Sequence, residues 1–165
     1  MICFDNINGC VKSVSNCQSL NKLSRCSNRA QRFNQFGTLG NKSSGSNNMI
    51  YEFEGKRPTI DPSAYISDSA VVIGDVTIGA RCYIGPGAVI RADERPIWIG
   101  DESAVEDLCV IHVGGPEAKT DGCHIGKRVT IGHGAMVHGN YIRDGANIGM
   151  GAIVSLFADI GEYTV

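Results

Sequence analysis

At 165 residues, with a formal net charge of −2, the chain suits a single domain, and the excess of acidic over basic residues in 49–165 argues against nucleic acid as a partner of that part. No apolar stretch approaches the ~18 residues that a membrane-spanning helix needs, and the N-terminus lacks the apolar core of a secretory signal. A cytoplasmic protein without a membrane or nucleic-acid partner is the reading that follows.

The chain divides near Met49. Residues 1–48 carry six Lys/Arg against one acidic residue, Asp5, and are rich in Ser and Asn. This basic, acid-poor segment shares its make-up with organellar transit sequences. It also fits an upstream start ahead of Met49, and we read 1–48 as a disordered or artefactual N-terminal extension. Cys3, Cys10, Cys17 and Cys26 have no Cys-x-x-Cys spacing, which argues against a zinc ribbon. Residues 49–165 carry nine Lys/Arg and sixteen Asp/Glu and hold everything that follows.

From residue 60 an aliphatic side chain recurs every six positions: Ile60, Ile66, Val72, Ile78, Ile84, Ile90. The series slips by three residues and resumes at Ile99, Val105 and Ile111. After a Gly/Pro-rich loop it resumes at Ile125, Ile131 and Val137. One residue early, it continues as Ile142, Ile148, Val154 and Ile160. Two residues before most of these stands a small side chain, among them Ala64, Ala88, Cys82, Cys109, Cys123 and Ala135. Neither a helical period nor a long alternating strand fits. Short strands joined by tight turns every six residues predict an all-β, parallel β-helix. The three cysteines then fill small inward slots as buried, inert thiols. The next aliphatic position would be residue 166, so the solenoid reads as one whose C-terminal cap is truncated.

The phrase [Ile/Val]-Gly-x-x-[Ala/Val/Cys]-x resembles the left-handed hexapeptide-repeat family. The resemblance implies a left-handed, three-sided prism with three hexapeptides per coil, assembled as a homotrimer. On such a prism Ile90, Ile111 and Val137 share one edge in successive coils, and Arg91, His112 and His138, which follow them, stack in a ladder about 4.8 Å apart. Two imidazoles at that spacing can share a metal. His133 falls on a different face, beyond reach within one chain, and is expected to come from a neighbour around a threefold axis.

Several runs are similar to those of the gamma-class carbonic anhydrases: Ile90-Arg91-Ala92-Asp93-Glu94, Val105-Glu106-Asp107, Val110-Ile111-His112, Gly132-His133-Gly134-Ala135, Val137-His138-Gly139 and Ile148-Gly149-Met150-Gly151-Ala152. This resemblance implies reversible hydration of CO2 to bicarbonate by metal-held hydroxide, with Zn2+ or Fe2+ bound at each subunit interface by His112, His133 and His138. It also implies roles for four further residues. Arg91 and Asp93 would form an inter-subunit ion pair near bicarbonate, as against a plain surface pair. Glu94 would accept a proton, as against a solvated carboxylate. Glu106 stands where many members carry a glutamine that orients the metal-held water. Glu117, in the short loop after His112, has no matching counterpart to the family's proton shuttle. His124 reads as an ordinary histidine, and Trp98 as packing at a coil corner. Three alternatives stay open: a non-catalytic, metal-binding structural trimer, a hexapeptide acyltransferase, and a thioester hydrolase.

Overall fold

Residues 49–114 and 119–165 are described in the computed structural model. The segment 1–48, with its four cysteines and Asp5, and the loop residue Glu117 lie outside the described residues. Those described contain no α-helix, and so none long and apolar enough to cross a membrane.

Fifteen strands follow one another: β1 (Met49–Tyr51), β2 (Thr59–Ile60), β3 (Tyr65–Ile66), β4 (Val71–Ile78), β5 (Tyr83–Ile84), β6 (Val89–Ile99), β7 (Ala104–Val105), β8 (Val110–His112), β9 (Cys123–Ile125), β10 (Thr130–Ile131), β11 (Met136–Val137), β12 (Tyr141–Ile142), β13 (Asn147–Ile148), β14 (Ile153–Val154) and β15 (Asp159–Ile160). Every pairing between them is parallel. Ile60 lies beside Ile78, Ile66 beside Ile84 and Val72 beside Ile90, so three hexapeptides close one coil. The chain is a left-handed β-helix. Its first face carries β2, the end of β4, the end of β6, β9, β12 and β15. The second carries β3, β5, β7, β10 and β13. The third carries β1, the starts of β4 and β6, then β8, β11 and β14. Because β4 and β6 stay extended through the corner from the third face to the first, those two faces form one continuous sheet.

A two-residue strand suffices here because each coil satisfies its backbone on the next. On the third face Val71 N–H donates to the Ala88 carbonyl, Val89 to Cys109, Val110 to Ala135 and Met136 to Ala152, at 2.8–3.0 Å. Within each strand the second residue points inward. Ile84, Ile90, Val105, Ile111, Ile131, Val137 and Ile142 are fully buried. Each such side chain contributes about 1.5–3 kcal/mol by leaving water. The slots two residues earlier are also buried. Cys82, Cys109 and Cys123 are free thiols, and burial pushes Cys123 up to about 12.

Every departure from the six-residue rhythm falls at one corner, the exit from the third face. Gly74 pairs with Ala92 but Val76 pairs with Ile97, so Asp93–Pro96 bulge opposite the single residue Asp75. Gly74 makes this possible. Its φ of +80° is left-handed, and a Cβ there would stand 2.2 Å from the Ala92 carbonyl oxygen. One coil later the loop after β8 leaves from the same corner. In the next, Val137 and Ile142 stand one residue closer than elsewhere, and the coil still closes, Val137 beside Val154 and Ile142 beside Ile125.

Ile111→Ala should destabilise the chain by about 2–5 kcal/mol, read as a lower urea midpoint at unchanged m-value. Gly74→Ala should cost more than the ~1 kcal/mol of an ordinary left-handed substitution, because the methyl meets backbone rather than a movable side chain.

Candidate functional site

The ladder forms as its register dictates. Arg91 pairs with His112 across β6 and β8, and His138 follows Val137, the partner of Ile111. The two rings stand 5.1 Å apart between centroids, and His112 Nδ1 lies 3.1 Å from His138 Nε2. On its other side His112 Nε2 lies 3.1 Å from Asp93 Oδ1. The second oxygen of Asp93, Oδ2, accepts a hydrogen bond from Arg91. The bulge of β6 is what brings Asp93 round to this position. Arg91, Asp93, His112 and His138 thus form one connected chain on a single corner. His112 and Asp93 are each only 17% exposed.

The charges follow from these contacts. Partial burial alone would raise the Asp93 carboxyl, but the hydrogen bond and charge of Arg91, with His112 nearby, hold it below its ordinary value. Burial first, and the neighbouring His112 second, lower the His138 imidazole. The exposed Glu94 pulls the other way, which puts its carboxylate within electrostatic reach of the pair.

The remaining predicted residues gather elsewhere. Glu106 and His133 occupy successive coils of the corner that leads into the third face. They are joined by Asp107, a residue to which the sequence reading gave no role of its own. Asp107 Oδ2 lies 3.5 Å from His133 Nδ1, and donor atoms of Glu106, Asp107 and His133 all lie within 4.8 Å of one another. Glu106 is buried, whereas His133 is half-exposed. Asp107 could have been found from its place one coil step below His133: its carbonyl accepts from Gly134 N–H. His133 stands in the turn that leads into the third face, not on a separate face, and His138 follows Val137 where the chain leaves it. The predicted residues therefore fall within one chain into two separate groups, at opposite edges of the third face.

The strip between the groups is apolar. The outward positions of that face are Val71, Val89, Val110, Met136 and Ile153, with Met136 48% and Ile153 74% exposed. Beside His133 on the leading corner, Leu108 and Met150 are also exposed. The corresponding rows of the first and second faces carry Thr, Tyr, Asn and Asp among their residues.

His124 and Trp98 lie apart from both groups. Trp98, the second-to-last residue of β6, stands on the first face and not at a corner, because the register is restored between the bulge and this residue: Thr77, Trp98 and His124 are neighbours in one row. The His124 ring is sandwiched between Trp98 at 4.2 Å and Tyr141 at 5.0 Å.

A parallel solenoid of this six-residue rhythm is the fold of hexapeptide-repeat proteins, and the chain belongs to that family. Family models described as bacterial transferase hexapeptide (six repeats) and hexapeptide repeat of succinyl-transferase match residues 57–92 and 122–155. The carnitine operon protein CaiE of Escherichia coli is 38% identical over 115 residues, covering 70% of this chain and 57% of that protein. A carbonic anhydrase of Geobacillus kaustophilus is 38% identical over 114 residues, covering 69% and 60%. The chain thus spans under two thirds of the length of these relatives. Among solved structures, a candidate acetyltransferase of Bacillus cereus aligns with a TM-score of 0.51 at 32% identity, over 70% of this chain and 72% of that one. A hexapeptide transferase family protein of Anaplasma phagocytophilum gives 0.50 at 28%, over 71% and 74%.

The charge arrangement fixes an acid response. Asp93 has a folded pKa below its unfolded one, so its stabilisation is complete above the unfolded value and is lost as pH falls through the folded one. His138, also lowered, binds its proton less readily when folded, so its charging below the usual histidine range acts in the same direction. Urea midpoints measured from pH 7 down to pH 3 should fall, and Asp93→Asn should flatten the acid end of that curve.

Proposed function

We propose that the chain is a subunit of a metal-dependent enzyme that reversibly hydrates CO2 to bicarbonate. The observation that carries this reading is the pair of imidazole nitrogens, His112 Nδ1 and His138 Nε2, 3.1 Å apart at the edge of an apolar strip. Two nitrogens sharing one tetrahedral zinc at about 2.1 Å each would stand about 3.4 Å apart, so the donor set fits a divalent ion after a shift of a few tenths of an ångström. Two neutral imidazoles suit Zn2+ or Fe2+. His133, on the opposite edge of the same face, is the third ligand, supplied by the neighbouring subunit of a homotrimer. The exposed aliphatic row between the two edges supports that assembly, since packing it on a second copy brings one chain's leading corner to another's trailing corner.

A divalent cation held by His112, His138 and a neighbour's His133 would supply Lewis-acid activation of water near neutral pH. The chain's own residues do the rest. Glu94, exposed and within electrostatic reach of His138, accepts the released proton on a carboxylate oxygen and passes it to solvent. Glu106, buried beside His133, arrives with that histidine from the neighbouring subunit and accepts a hydrogen bond that fixes the nucleophilic water's orientation. The Arg91 guanidinium, 42% exposed beside Asp93, offers donors to the bicarbonate product.

Stopped-flow CO2 hydration by the full chain, loaded anaerobically with iron(II) or separately with zinc, should give turnover that falls at least a hundredfold in His138→Ala. Absence of turnover with one metal bound per chain would overturn the reading. Ile153→Glu should convert trimers to monomers by light scattering and abolish turnover with them.

A second reading, acyl transfer, is favoured by the transferase descriptions of the structural relatives. Calorimetric titration with acetyl-coenzyme A separates the two, since only the acyltransferase requires binding.

A further inference from the structure

We propose that Leu108 is a substrate-positioning residue of the site that two subunits share, an apolar wall that arrives with His133, faces the neighbour's ladder between Arg91 and His112, and holds a small uncharged substrate there. This rests on the reading of that ladder and a neighbour's His133 as one metal site, and adds the group that meets the substrate.

The leucine stands where the turn suits glycine. On the corner that leads into the third face, Gly87, Leu108, Gly134 and Gly151 hold one turn position in successive coils. Leu108 N–H donates to the Pro86 carbonyl, Gly134 N–H to Asp107 and Gly151 N–H to His133, at 2.9–3.0 Å. All four residues have left-handed φ, of 68°, 59°, 66° and 66° in turn. A side chain at such a φ crowds its own backbone, a strain that glycine escapes. Another corner accepts that strain with the long polar side chains of Arg81, Glu102 and Arg128. Leu108 gains no burial in exchange, since it is 70% exposed. Strain without burial points to a use outside the isolated chain.

Its position says what that use is. Leu108 directly follows Asp107, which lies beside His133. Its side chain leans down the solenoid, so that a Cβ on Gly87 would stand 2.7 Å from Leu108 Cδ2. Gly87 leads into β6, the strand of Arg91, and Leu108 leads toward β8, the strand of His112. Around a threefold axis, solenoids standing side by side meet coil for coil, so the leucine spans the levels of the neighbour's His112 and Arg91. Its isobutyl group carries no donor or acceptor and suits CO2, which is neutral and apolar. An anion gains nothing from such a wall, so bicarbonate is drawn off toward the Arg91 guanidinium.

The test uses the full chain. Leu108→Gly and Leu108→Asn both suit left-handed φ, so each should leave the urea midpoint of the metal-free chain unchanged or higher, and the trimer intact. With cobalt(II) bound, kcat/KM for CO2 should fall about fivefold or more through KM, with kcat within about twofold of native. Cyanate, a linear triatomic ion of the same shape, should need about fivefold more to perturb the cobalt absorption spectrum. Leu108→Met, apolar and of similar volume, should keep native values in both assays. A lower urea midpoint or a lost trimer in Leu108→Gly and Leu108→Asn would make the leucine a packing group and overturn the proposal. Unchanged KM and cyanate affinity would overturn it equally. Should the native chain bind cobalt and cyanate yet not hydrate CO2, the hydration reading fails by itself and the cyanate comparison still decides the wall. A native chain that takes up no cobalt sinks the metal reading, and the wall with it.

Discussion

Parallel stacking of coils, each saturating its backbone N–H and C=O groups on the next, is the constraint from which the rest of this structure descends. Because Val89 hydrogen-bonds to the coil of Cys109, and Val110 to that of Ala135, the neighbour of any side chain is set by its place in the coil and not by its distance along the sequence. Arg91, His112 and His138 are brought together by that rule alone. The same rule keeps His133 away from them: it belongs to the opposite edge of the same face, and no side-chain adjustment crosses a strand.

Against this regular frame, the irregularities are concentrated. The four-against-one bulge of β6, the loop after His112 and the shortened step after Val137 all leave from one corner. A regular corner turns on two or three residues and offers mostly backbone. The bulge instead swings Asp93 and Glu94 outward into the space beside the histidine ladder. The stable part of the fold supplies a fixed spacing, and the disrupted corner supplies the polar groups that use it. Gly74 is where the two meet, since only a residue without a side chain lets the coil below pass so close beneath the bulge.

Most of the frame was legible in the sequence because inward positions tolerate only aliphatic and small residues. The six-residue series from Ile60 to Ile160, its three slips, and the small slots at Cys82, Cys109 and Cys123 translate directly into buried rows. The ladder of Arg91, His112 and His138 could be read for the same reason. What lay beyond reach were contacts set by rotamers and local backbone. That Asp93 divides its two oxygens between Arg91 and His112 depends on how far the bulge turns. That Asp107 faces His133 depends on the corner, where no hydropathy pattern operates. Trp98 was expected at a corner and lies on a flat face because the inserted residues are absorbed entirely before Ile97.

That displacement gives the chain an optical property. Trp98 is the sole tryptophan of the sequence, and its indole is stacked face to face on the His124 imidazole, with Gly122 pressed close against its far edge. Imidazolium is a strong quencher of indole emission, while neutral imidazole is a weak one. The tryptophan fluorescence of this protein therefore comes from one place, the junction where the loop after β8 rejoins the solenoid. It reports on the contact between the coil that carries Trp98 and the next, which carries His124.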